Sequence, residues 1–356
     1  MSQRVFNFSA GPATLPLPVL EASAAALVDY KGKGVGIAEV SHRGAEFKEV
    51  LAETEQRCRQ LMGISDDYAV LFLQGGATQQ FDLVPMNLLQ NRAQYIVSGQ
   101  WAKKAAAAAK AHGSTEVIAD SQDQQFSVLP SGYTVDPQAD YLHICSNNTI
   151  FGTRFSAFPD HPCLVADMSS EIMGRVIDVN RFGVIYAGAQ KNLGPSGVVL
   201  VIIRRDLLDK APDTLSPIFR YKAHADNESC LNTPPTFGIY VLLETFRWLE
   251  AQGGIAAVEQ VNEAKAALLY EAIDGSGGFY TGTVTDHPNR SRMNVTYVLP
   301  NEDLTTAFLK RAAAEGLVAL KGYRSVGGIR ASIYNAMPMA GVEKLVALMK
   351  DFQASA

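Results

Sequence analysis

The stretch VIYAGAQKNLGPSG, residues 184–197, contains the end of an apolar strand and a lysine a few positions beyond it. Its first residues are apolar without a break, which is typical of a strand covered on both faces in a parallel sheet. Lys191 then follows among small, uncharged residues. Because ligands bind beyond the carboxyl ends of strands in open α/β sheets, we expect this lysine to do covalent chemistry. An isolated lysine would more often be a solvated surface residue.

Short apolar runs of this kind alternate with helical patterns through the first two-thirds of the chain. The helix predicted over Ala45–Met62 has its apolar residues on one face, and Gly63 follows it as a stop. The alanine-rich run 105–109 predicts another helix, capped at its end by Gly113. The alternation predicts an α/β fold with a mostly parallel, seven-stranded sheet between helices. The predicted strands are residues 70–73, 95–98, 116–119, 141–145, 164–166, 184–186 and 198–203.

The pattern changes after Thr236. Two long helical patterns are followed by a strand, a helix, a strand and a final helix, which predicts a smaller α+β unit. A chain of 356 residues also exceeds the size that one hydrophobic core usually serves. We therefore expect a large domain over residues 16–255 and a small domain over residues 256–356. Residues 1–15 are expected to pack against the small domain.

The composition is that of an ordinary globular protein. Hydrophobic residues make up 47% of the chain and charged residues 19%, so a disordered chain is excluded. The net charge of −5 offers no basic surface for nucleic acid or for anionic lipid. An anionic substrate must therefore be held by a local cluster of cations.

The four cysteines have no CxxC spacing, so we predict no metal site and no redox dithiol. Reduced thiols are typical of the cytoplasm. The first residues, MSQRVFNFSAGP, lack the apolar segment of a signal peptide. The longest apolar run, residues 198–203, is too short to cross a membrane. These features together predict a cytoplasmic protein.

Three further segments contain residues that could bind a ligand together with Lys191. Asp167, in CLVADMSS, also ends an apolar strand and could pair with a protonated ring nitrogen, or could be a helix cap. In LFLQGGATQQ, Gly75 and Gly76 precede a helix start, which is how phosphate-binding turns are built, although a plain tight turn fits equally well. Trp101, in SGQWAKK, could stack on a cofactor ring or pack in a core.

Six segments together resemble those of a known family. AGAQKN, VADMSS, NFSAGPA, SHRGAEF, NTPPTF and GGIRASIYNAMP are similar to signature segments of the phosphoserine aminotransferases. These enzymes form a group within the class-V aminotransferases, which are pyridoxal phosphate proteins of fold type I. The resemblance extends from Asn7 to about Pro338. It implies a transaminase with one pyridoxal 5'-phosphate in each subunit.

The resemblance also implies roles for individual residues around the cofactor. Lys191 is expected to form a Schiff base with the cofactor and to move the proton during catalysis. Asp167 is expected to pair with the ring nitrogen, and Trp101 to stack on the ring. The remaining expected contacts are Thr149 near the ring hydroxyl, Ala77, Thr78 and Gln190 at the phosphate, and Asn232 and Thr233 at the phosphate of the neighbouring subunit's cofactor. The last pair implies a homodimer with shared active sites.

The substrates that the resemblance implies are all small anions. The implied reaction transfers the amino group of L-glutamate to 3-phosphohydroxypyruvate, giving O-phospho-L-serine and 2-oxoglutarate in serine biosynthesis. A four-carbon phosphorylated oxo acid of pyridoxine biosynthesis is a further candidate substrate. Guanidinium groups bind both carboxylates and phosphates in a bidentate way. We assign the α-carboxylate to Arg330 and the distal anion to His42, Arg43 and Arg324.

Tyr323 departs from the family pattern, because many members have histidine at this position. A neutral phenol in place of an imidazole predicts weaker or less pH-dependent binding of the distal phosphate.

The sequence alone leaves other functions open. A cysteine desulfurase needs a catalytic cysteine late in the chain, whereas the last cysteine here is Cys230. An alanine–glyoxylate aminotransferase would not need so many cations. A non-enzymatic regulator on the same fold would need an effector-binding or DNA-binding appendage. A dehydrogenase would need a GxGxxG motif after its first strand.

Overall fold

The computed structural model describes residues 4–324 and 326–356, and its largest feature is a seven-stranded sheet. We number the elements in chain order. The strands are β1 (Phe6–Asn7), β2 (Tyr68–Gly75), β3 (Arg92–Val97), β4 (Ser114–Asp120), β5 (Tyr141–Cys145), β6 (Leu164–Asp167), β7 (Val184–Gly188), β8 (Gly197–Arg204), β9 (Thr281–Gly282), β10 (Asn294–Val298), β11 (Leu317–Val318) and β12 (Ile329–Ser332). The α-helices are α1 (Leu17–Val28), α2 (Ala45–Met62), α3 (Ala77–Leu88), α4 (Gln100–Ala109), α5 (Tyr221–Asp226), α6 (Thr236–Ala251), α7 (Gly254–Asp274), α8 (Glu302–Ala314) and α9 (Met339–Ser355).

The direction of the strands brings their carboxyl ends together. The order in the sheet is β2-β8-β7-β6-β5-β3-β4, and four of the six pairings are parallel. Only β8 runs opposite to its neighbours in this sheet, so the other six strands end at the same edge. Ligands bind at this edge in sheets of this type. The predicted α/β fold with a mostly parallel, seven-stranded sheet is confirmed.

Apolar side chains cover both faces of this sheet. In β8, Leu200 and Ile202 join one buried cluster while Val199 and Val201 join the other, as the two-residue period of a strand requires. Helices α2 and α6 supply the first cluster, whereas α3 and α4 supply the second. The apolar face of α2 is the predicted one, and the helix ends at Gly63 in a left-handed conformation, with φ of 65°.

A third cluster lies in the C-terminal part of the chain. It contains apolar residues from α7 to α9, together with Phe8 near the N-terminus. Strand β1 pairs in parallel with β11, while β9, β10 and β12 form a separate three-stranded antiparallel sheet. The division into domains of residues 1–15, 16–255 and 256–356 stays a prediction, and residues 1–3 lie outside the described residues. Helix α7 crosses the proposed boundary, because Ile255 packs in the first cluster and Ala266 in the third.

Two details differ from the sequence-based expectations. Helix α4 ends at Ala109 with Lys110 as its C-cap, so Gly113 is not the cap. Gly113 instead lies just before β4 and close to the Leu89 side chain, because a Cβ added at Gly113 would lie 2.9 Å from Leu89 Cδ2. Strand β4 is also an edge strand with several exposed residues rather than one covered on both faces.

His143 is one of the histidines that the fold buries. His143, in β5, is 2% exposed, and Nε2 shares a hydrogen bond of 2.8 Å with the Tyr186 hydroxyl. Its Nδ1 has no partner among the described residues. Burial lowers the pKa of His143 to about 3, so the imidazole stays neutral in the folded protein at pH values where it is protonated in the unfolded chain.

We predict that acid destabilises the protein through His143. Because its pKa is lower in the folded state, the free energy of unfolding falls as the pH drops below about 6.5, by about 1.4 kcal/mol for each pH unit. Urea unfolding at pH 6.5 and pH 5 measures this slope. The variant His143→Gln should have a smaller slope, whereas His287→Gln, at an exposed position, should keep it. An unchanged slope in His143→Gln would contradict the assignment.

Candidate active site

Lys191 lies just beyond the end of β7, with its amine directed at Thr149. Nζ donates a hydrogen bond of 2.6 Å to Thr149 Oγ1, and it has no carboxylate ion-pair partner among the described residues. The backbone of Gly11 packs closely against the Lys191 side chain, because a Cβ added at Gly11 would lie 3.2 Å from Lys191 Cγ. Burial lowers the pKa of Lys191, while the nearby Asp167 carboxylate opposes that effect. A free amine is therefore easier to form here than on a solvated lysine.

Asp167 ends β6 and is held in one orientation by its own loop. It is 5% exposed, and Oδ1 accepts hydrogen bonds from the Ser169 backbone N–H at 2.9 Å and from Ser169 Oγ at 2.6 Å. Ser169 Oγ in turn accepts a hydrogen bond from the Gly188 N–H at 3.0 Å. Both bonds to the carboxylate use Oδ1, which leaves Oδ2 for a donor from a ligand.

Trp101 provides an aromatic face beside the amine. It lies in the first turn of α4, and Lys191 Nζ is 5.5 Å from the centroid of its ring. A second ammonium group, that of Lys104, is 4.7 Å from the same centroid. The indole Nε1 is buried without a hydrogen-bond partner among the described residues. The ring can therefore stack on a flat ligand and still has a hydrogen-bond donor to offer.

The turn between β2 and α3 has the geometry of an anion-binding site. Gly75 has φ of +114°, a backbone conformation that residues with a side chain rarely adopt, so glycine is favoured there. Gly76 is the N-cap of α3 and caps it without a side-chain hydrogen bond. The first N–H groups of the helix, those of Ala77 and Thr78, therefore remain available for an anion.

Gln190, the third residue assigned to the phosphate, adjoins Lys191 in the loop after β7. Its backbone carbonyl accepts a hydrogen bond of 2.9 Å from the Ala13 N–H, which ties the N-terminal segment to this loop. Its side chain is partly exposed.

Arg330 is a cation without a counter-ion in the part of the chain that the structure describes. It lies in β12, and its guanidinium forms no hydrogen bond and no ion pair with any described residue. Its Nε is buried. Burial lowers the pKa of Arg330, and the nearby phenols of Tyr334 and Tyr323 act in the opposite direction. Its charge in turn helps to lower the pKa of Lys191. An unpaired guanidinium this close to the amine is suited to bind a carboxylate.

The other predicted anion-binding residues lie in two separate segments of the chain. Arg43 and Arg324 are exposed, and the side chains of these two arginines and of His42 form no hydrogen bond or ion pair within residues 4–324 and 326–356. His42 and Arg43 precede α2, whereas Arg324 lies in the loop before β12. Tyr323 adjoins Arg324 and is 38% exposed.

Asn232 and Thr233 lie next to the end of β2 in the same chain. Gln74 Nε2 donates a hydrogen bond of 2.6 Å to the Thr233 carbonyl, and Asn232 Nδ2 donates one of 3.4 Å to Gln74 Oε1. The Thr233 side chain is not engaged by the described residues and is exposed. A role for either residue at a neighbouring subunit's cofactor remains a prediction.

The grouped residues match the parts of one ligand. An amine, a carboxylate, an aromatic face and a helix N-terminus all lie at one edge of the sheet. Pyridoxal phosphate offers an aldehyde, a basic ring nitrogen, a flat ring and a phosphate, which are the complementary groups. The orphaned donors at Trp101 and Arg330 further indicate that this edge is built for a ligand.

Comparison with known proteins decides the family. The aminotransferase class-V family matches residues 5–345. The chain belongs to the class-V aminotransferase family. It is 50% identical over 365 aligned residues to a phosphoserine aminotransferase of Nitrosomonas europaea, covering 99% of both chains.

Solved structures of class-V aminotransferases agree with this fold. A phosphoserine aminotransferase from Bacillus circulans subsp. alkalophilus has a TM-score of 0.97 and 49% identity, with 99% of each chain covered. A PLP-bound phosphoserine aminotransferase from Trichomonas vaginalis has a TM-score of 0.93 and 36% identity, covering 98% of this chain and 100% of that one. The likeness extends over both the large sheet and the C-terminal part.

Sequence reasoning missed several residues of this class-V site. Ser169, which fixes the Asp167 carboxylate, could have been found, because serine two positions after aspartate commonly forms such a local turn. Lys104 also lies one helical turn from Trp101, but it is exposed and is not assigned to the catalytic or binding residues. The close approach of Gly11 to Lys191 joins distant parts of the chain, and no local pattern indicates it.

We predict that Lys191→Ala abolishes turnover and that the protein then retains no borohydride-reducible bond to the cofactor. Lys104→Ala is the matched control, because Lys104 also faces Trp101 but is exposed. This control should keep most of its activity. Reduction of the wild-type protein followed by peptide mapping should recover the cofactor on the peptide with Lys191. Recovery on Lys104, or on any other lysine, would contradict the assignment.

Proposed function

We propose that this class-V aminotransferase transfers the amino group of L-glutamate to 3-phosphohydroxypyruvate, using pyridoxal phosphate as cofactor. The structural observation that carries the proposal is the unpaired Arg330 guanidinium close to the desolvated amine of Lys191. Both substrates carry an α-carboxylate, for which this guanidinium is suited. The likeness to phosphoserine aminotransferases over nearly the whole chain supports the phosphorylated substrate. The products are then O-phospho-L-serine and 2-oxoglutarate, as in serine biosynthesis.

The chain's residues would hold the cofactor by both of its ends. When bound, pyridoxal phosphate supplies an aldehyde for amino-group exchange and a ring that takes up the electron pair left by a departing α-proton. We assign its phosphate to the N–H groups of Ala77 and Thr78, helped by Gln190. Asp167, oriented by Ser169, would keep the ring nitrogen protonated through Oδ2.

Lys191 would carry the proton that leaves the α-carbon of the substrate. Its lowered pKa favours the neutral amine, which would accept the α-proton at Nζ and donate it to the aldehyde-derived carbon of the cofactor. Thr149 Oγ1 accepts a hydrogen bond from Nζ and so restrains the amine. The indole of Trp101 would cover one face of the reacting ring and exclude water from it.

The distal anion requires further cations. We propose that His42, Arg43 and Arg324 bind the phosphate of the acceptor and the side-chain carboxylate of glutamate. Their side chains have no competing ion pair within the described residues, and both arginines are exposed. Tyr323 adjoins Arg324 and would contribute a phenol rather than a cation.

We also propose that the enzyme is a homodimer in the cytoplasm. Asn232 and Thr233 would contact the phosphate of the partner subunit's cofactor, which requires two chains for each complete site. All four cysteines are free thiols, which supports a reducing compartment. Within the described residues, no helix combines the length and hydrophobicity needed to cross a bilayer.

A coupled assay with glutamate tests the proposed function. 3-Phosphohydroxypyruvate should be used with a much higher kcat/KM than glyoxylate or pyruvate, because only it carries the distal phosphate. The four-carbon phosphorylated homologue, measured beside it, defines whether the enzyme also serves pyridoxine biosynthesis. A preference for an unphosphorylated acceptor would contradict the proposal.

We predict that Arg330→Lys lowers kcat/KM for both substrates by roughly tenfold to a hundredfold, because an ammonium cannot replace the bidentate fork of a guanidinium. Arg311→Lys is the control, since Arg311 forms an ion pair with Glu315 on the surface of α8. This control should leave both values unchanged. If Arg330→Lys weakened only one substrate, the α-carboxylate would belong to another residue.

A further inference from the structure

A tight turn after Asp167 is held by three asparagines. The carbonyls of Ile172, Met173 and Gly174 each accept a hydrogen bond from a different side-chain amide. Asn192 Nδ2 donates to the Ile172 carbonyl at 2.7 Å. Asn335 Nδ2 donates to the Met173 carbonyl at 2.9 Å, and Asn262 Nδ2 donates to the Gly174 carbonyl at 2.9 Å. All three asparagines are buried, and Met173 has a left-handed φ of 55°. Three consecutive carbonyls are thus satisfied by side chains rather than by a helix or a strand.

The three asparagines are also bonded to each other. The Asn335 backbone N–H donates to Asn192 Oδ1 at 2.9 Å, and Asn262 Nδ2 donates to Asn335 Oδ1 at 2.8 Å. We call Asn192, Asn262 and Asn335 the asparagine cluster. Its members come from the loop of Lys191, from α7 and from the segment that follows β12. The cluster therefore connects the large sheet to the C-terminal part of the chain.

Helix α7 holds the segment after β12 at a second point. Lys265 is 0% exposed and lies one helical turn after Asn262. Its Nζ donates to the carbonyls of Ile333, Tyr334 and Met337, at 3.0, 2.8 and 3.1 Å. Burial lowers the pKa of Lys265 to about 7. A buried lysine with three carbonyl partners fixes this segment more strongly than apolar packing alone would.

The same segment also contacts the N-terminal chain beside Lys191. The Tyr334 hydroxyl donates to the Ala10 carbonyl at 2.8 Å and accepts a hydrogen bond from Asn294 Nδ2 at 3.1 Å. Ala10 precedes Gly11, the residue that lies against the Lys191 side chain. The chain between Arg330 and Met337 is consequently fixed on several sides.

We propose that the residues of the asparagine cluster are positioning residues that keep Arg330 at a fixed separation from Lys191. Arg330 is five positions before Asn335, and Lys191 adjoins Asn192. The Asn335 side chain donates to the Met173 carbonyl in the turn after Asp167, and its backbone N–H donates to Asn192, so both bonds join the segment of the guanidinium to the part of the chain that carries the amine. This inference rests on the proposed function, in which Arg330 binds the α-carboxylate and Lys191 takes the α-proton. Reaction requires the two groups to be correctly spaced around one substrate.

Two substitutions at Asn335 test the proposal. Asn335→Asp preserves the shape and the acceptor for Asn262 but loses the donor to the Met173 carbonyl, and Asn335→Ala loses both. We expect KM for glutamate and for 3-phosphohydroxypyruvate to rise on the order of tenfold in both variants. The absorbance of the bound cofactor and its affinity should stay the same, because no member of the cluster belongs to the predicted cofactor contacts.

Hydrogen exchange provides a readout that does not depend on activity. Peptides covering residues 329–338 should exchange faster in the Asn335 variants, whereas peptides from α9 should not. Asn289→Ala is the matched control, because Asn289 Oδ1 accepts bonds from Ser156 N–H and Oγ, at 3.1 and 2.6 Å, between the same two parts of the chain. It shares no hydrogen bond with the asparagine cluster and should leave both KM values unchanged.

Several outcomes would overturn the proposal. A lower melting temperature with unchanged KM values would mean that Asn335 has only a structural role. If Asn289→Ala raised the KM values as much as the Asn335 variants do, the effect would not be specific to the asparagine cluster. If the Asn335 variants do not fold, Asn192→Ala, which removes the acceptor of the Asn335 N–H and the donor to the Ile172 carbonyl, is measured against the same criteria. Unchanged KM values and exchange in that variant would also overturn it.

Failure of the proposed function can be distinguished from failure of this inference. The half-reaction with glutamate, followed through the absorbance of the bound cofactor, does not involve the phosphorylated acceptor. A wild-type enzyme that reacts with glutamate but not with 3-phosphohydroxypyruvate would contradict only the proposed function. The effect of the Asn335 variants on the glutamate half-reaction and on hydrogen exchange would still test whether the asparagine cluster positions Arg330.

Discussion

In the proposed reaction, the chemistry depends on a partly buried lysine amine that has no carboxylate ion-pair partner among the described residues. Burial lowers the pKa of Lys191, and Asp167 is near enough to oppose that shift but forms no ion pair with it. A salt bridge would have fixed the ammonium form and blocked its use as a base. The amine instead donates to a hydroxyl, that of Thr149. The reversed direction of β8 and the common edge of the other six strands make this arrangement possible.

In the proposed site, substrate binding depends on a second cation, which has no counter-ion among the described residues. The Arg330 guanidinium comes from a different sheet, and its separation from Lys191 is set by how the two parts of the chain are joined. Buried asparagine amides and a buried lysine make this junction polar and geometrically specific. An apolar junction would tolerate sliding, whereas hydrogen bonds to three consecutive carbonyls are lost when either side shifts. In the proposed function, anion binding and proton transfer would thereby be linked through the fold.

The sequence predicts the large sheet well because its strands are unbroken apolar runs, and Lys191 is recognisable because it follows one of them. The antiparallel direction of β8 has no signature in hydrophobic periodicity, since its residues are buried on both faces like those of a parallel strand. Gly113 was assigned as a cap because glycine usually ends helices, but packing against Leu89 explains it better. The asparagine cluster was not predictable, because its members lie 70 or more positions apart and asparagine is commonest in turns.

The central claim is that Lys191 and Asp167 serve opposite ends of one ring. Nuclear magnetic resonance of the protein reconstituted with pyridoxal phosphate labelled with ¹⁵N at the ring nitrogen tests it directly. The account predicts a chemical shift typical of a protonated pyridine nitrogen at neutral pH, and loss of that proton in Asp167→Asn, which cannot supply the negative charge. An unprotonated ring nitrogen in the wild-type protein, or a shift that Asp167→Asn leaves unchanged, would contradict the account.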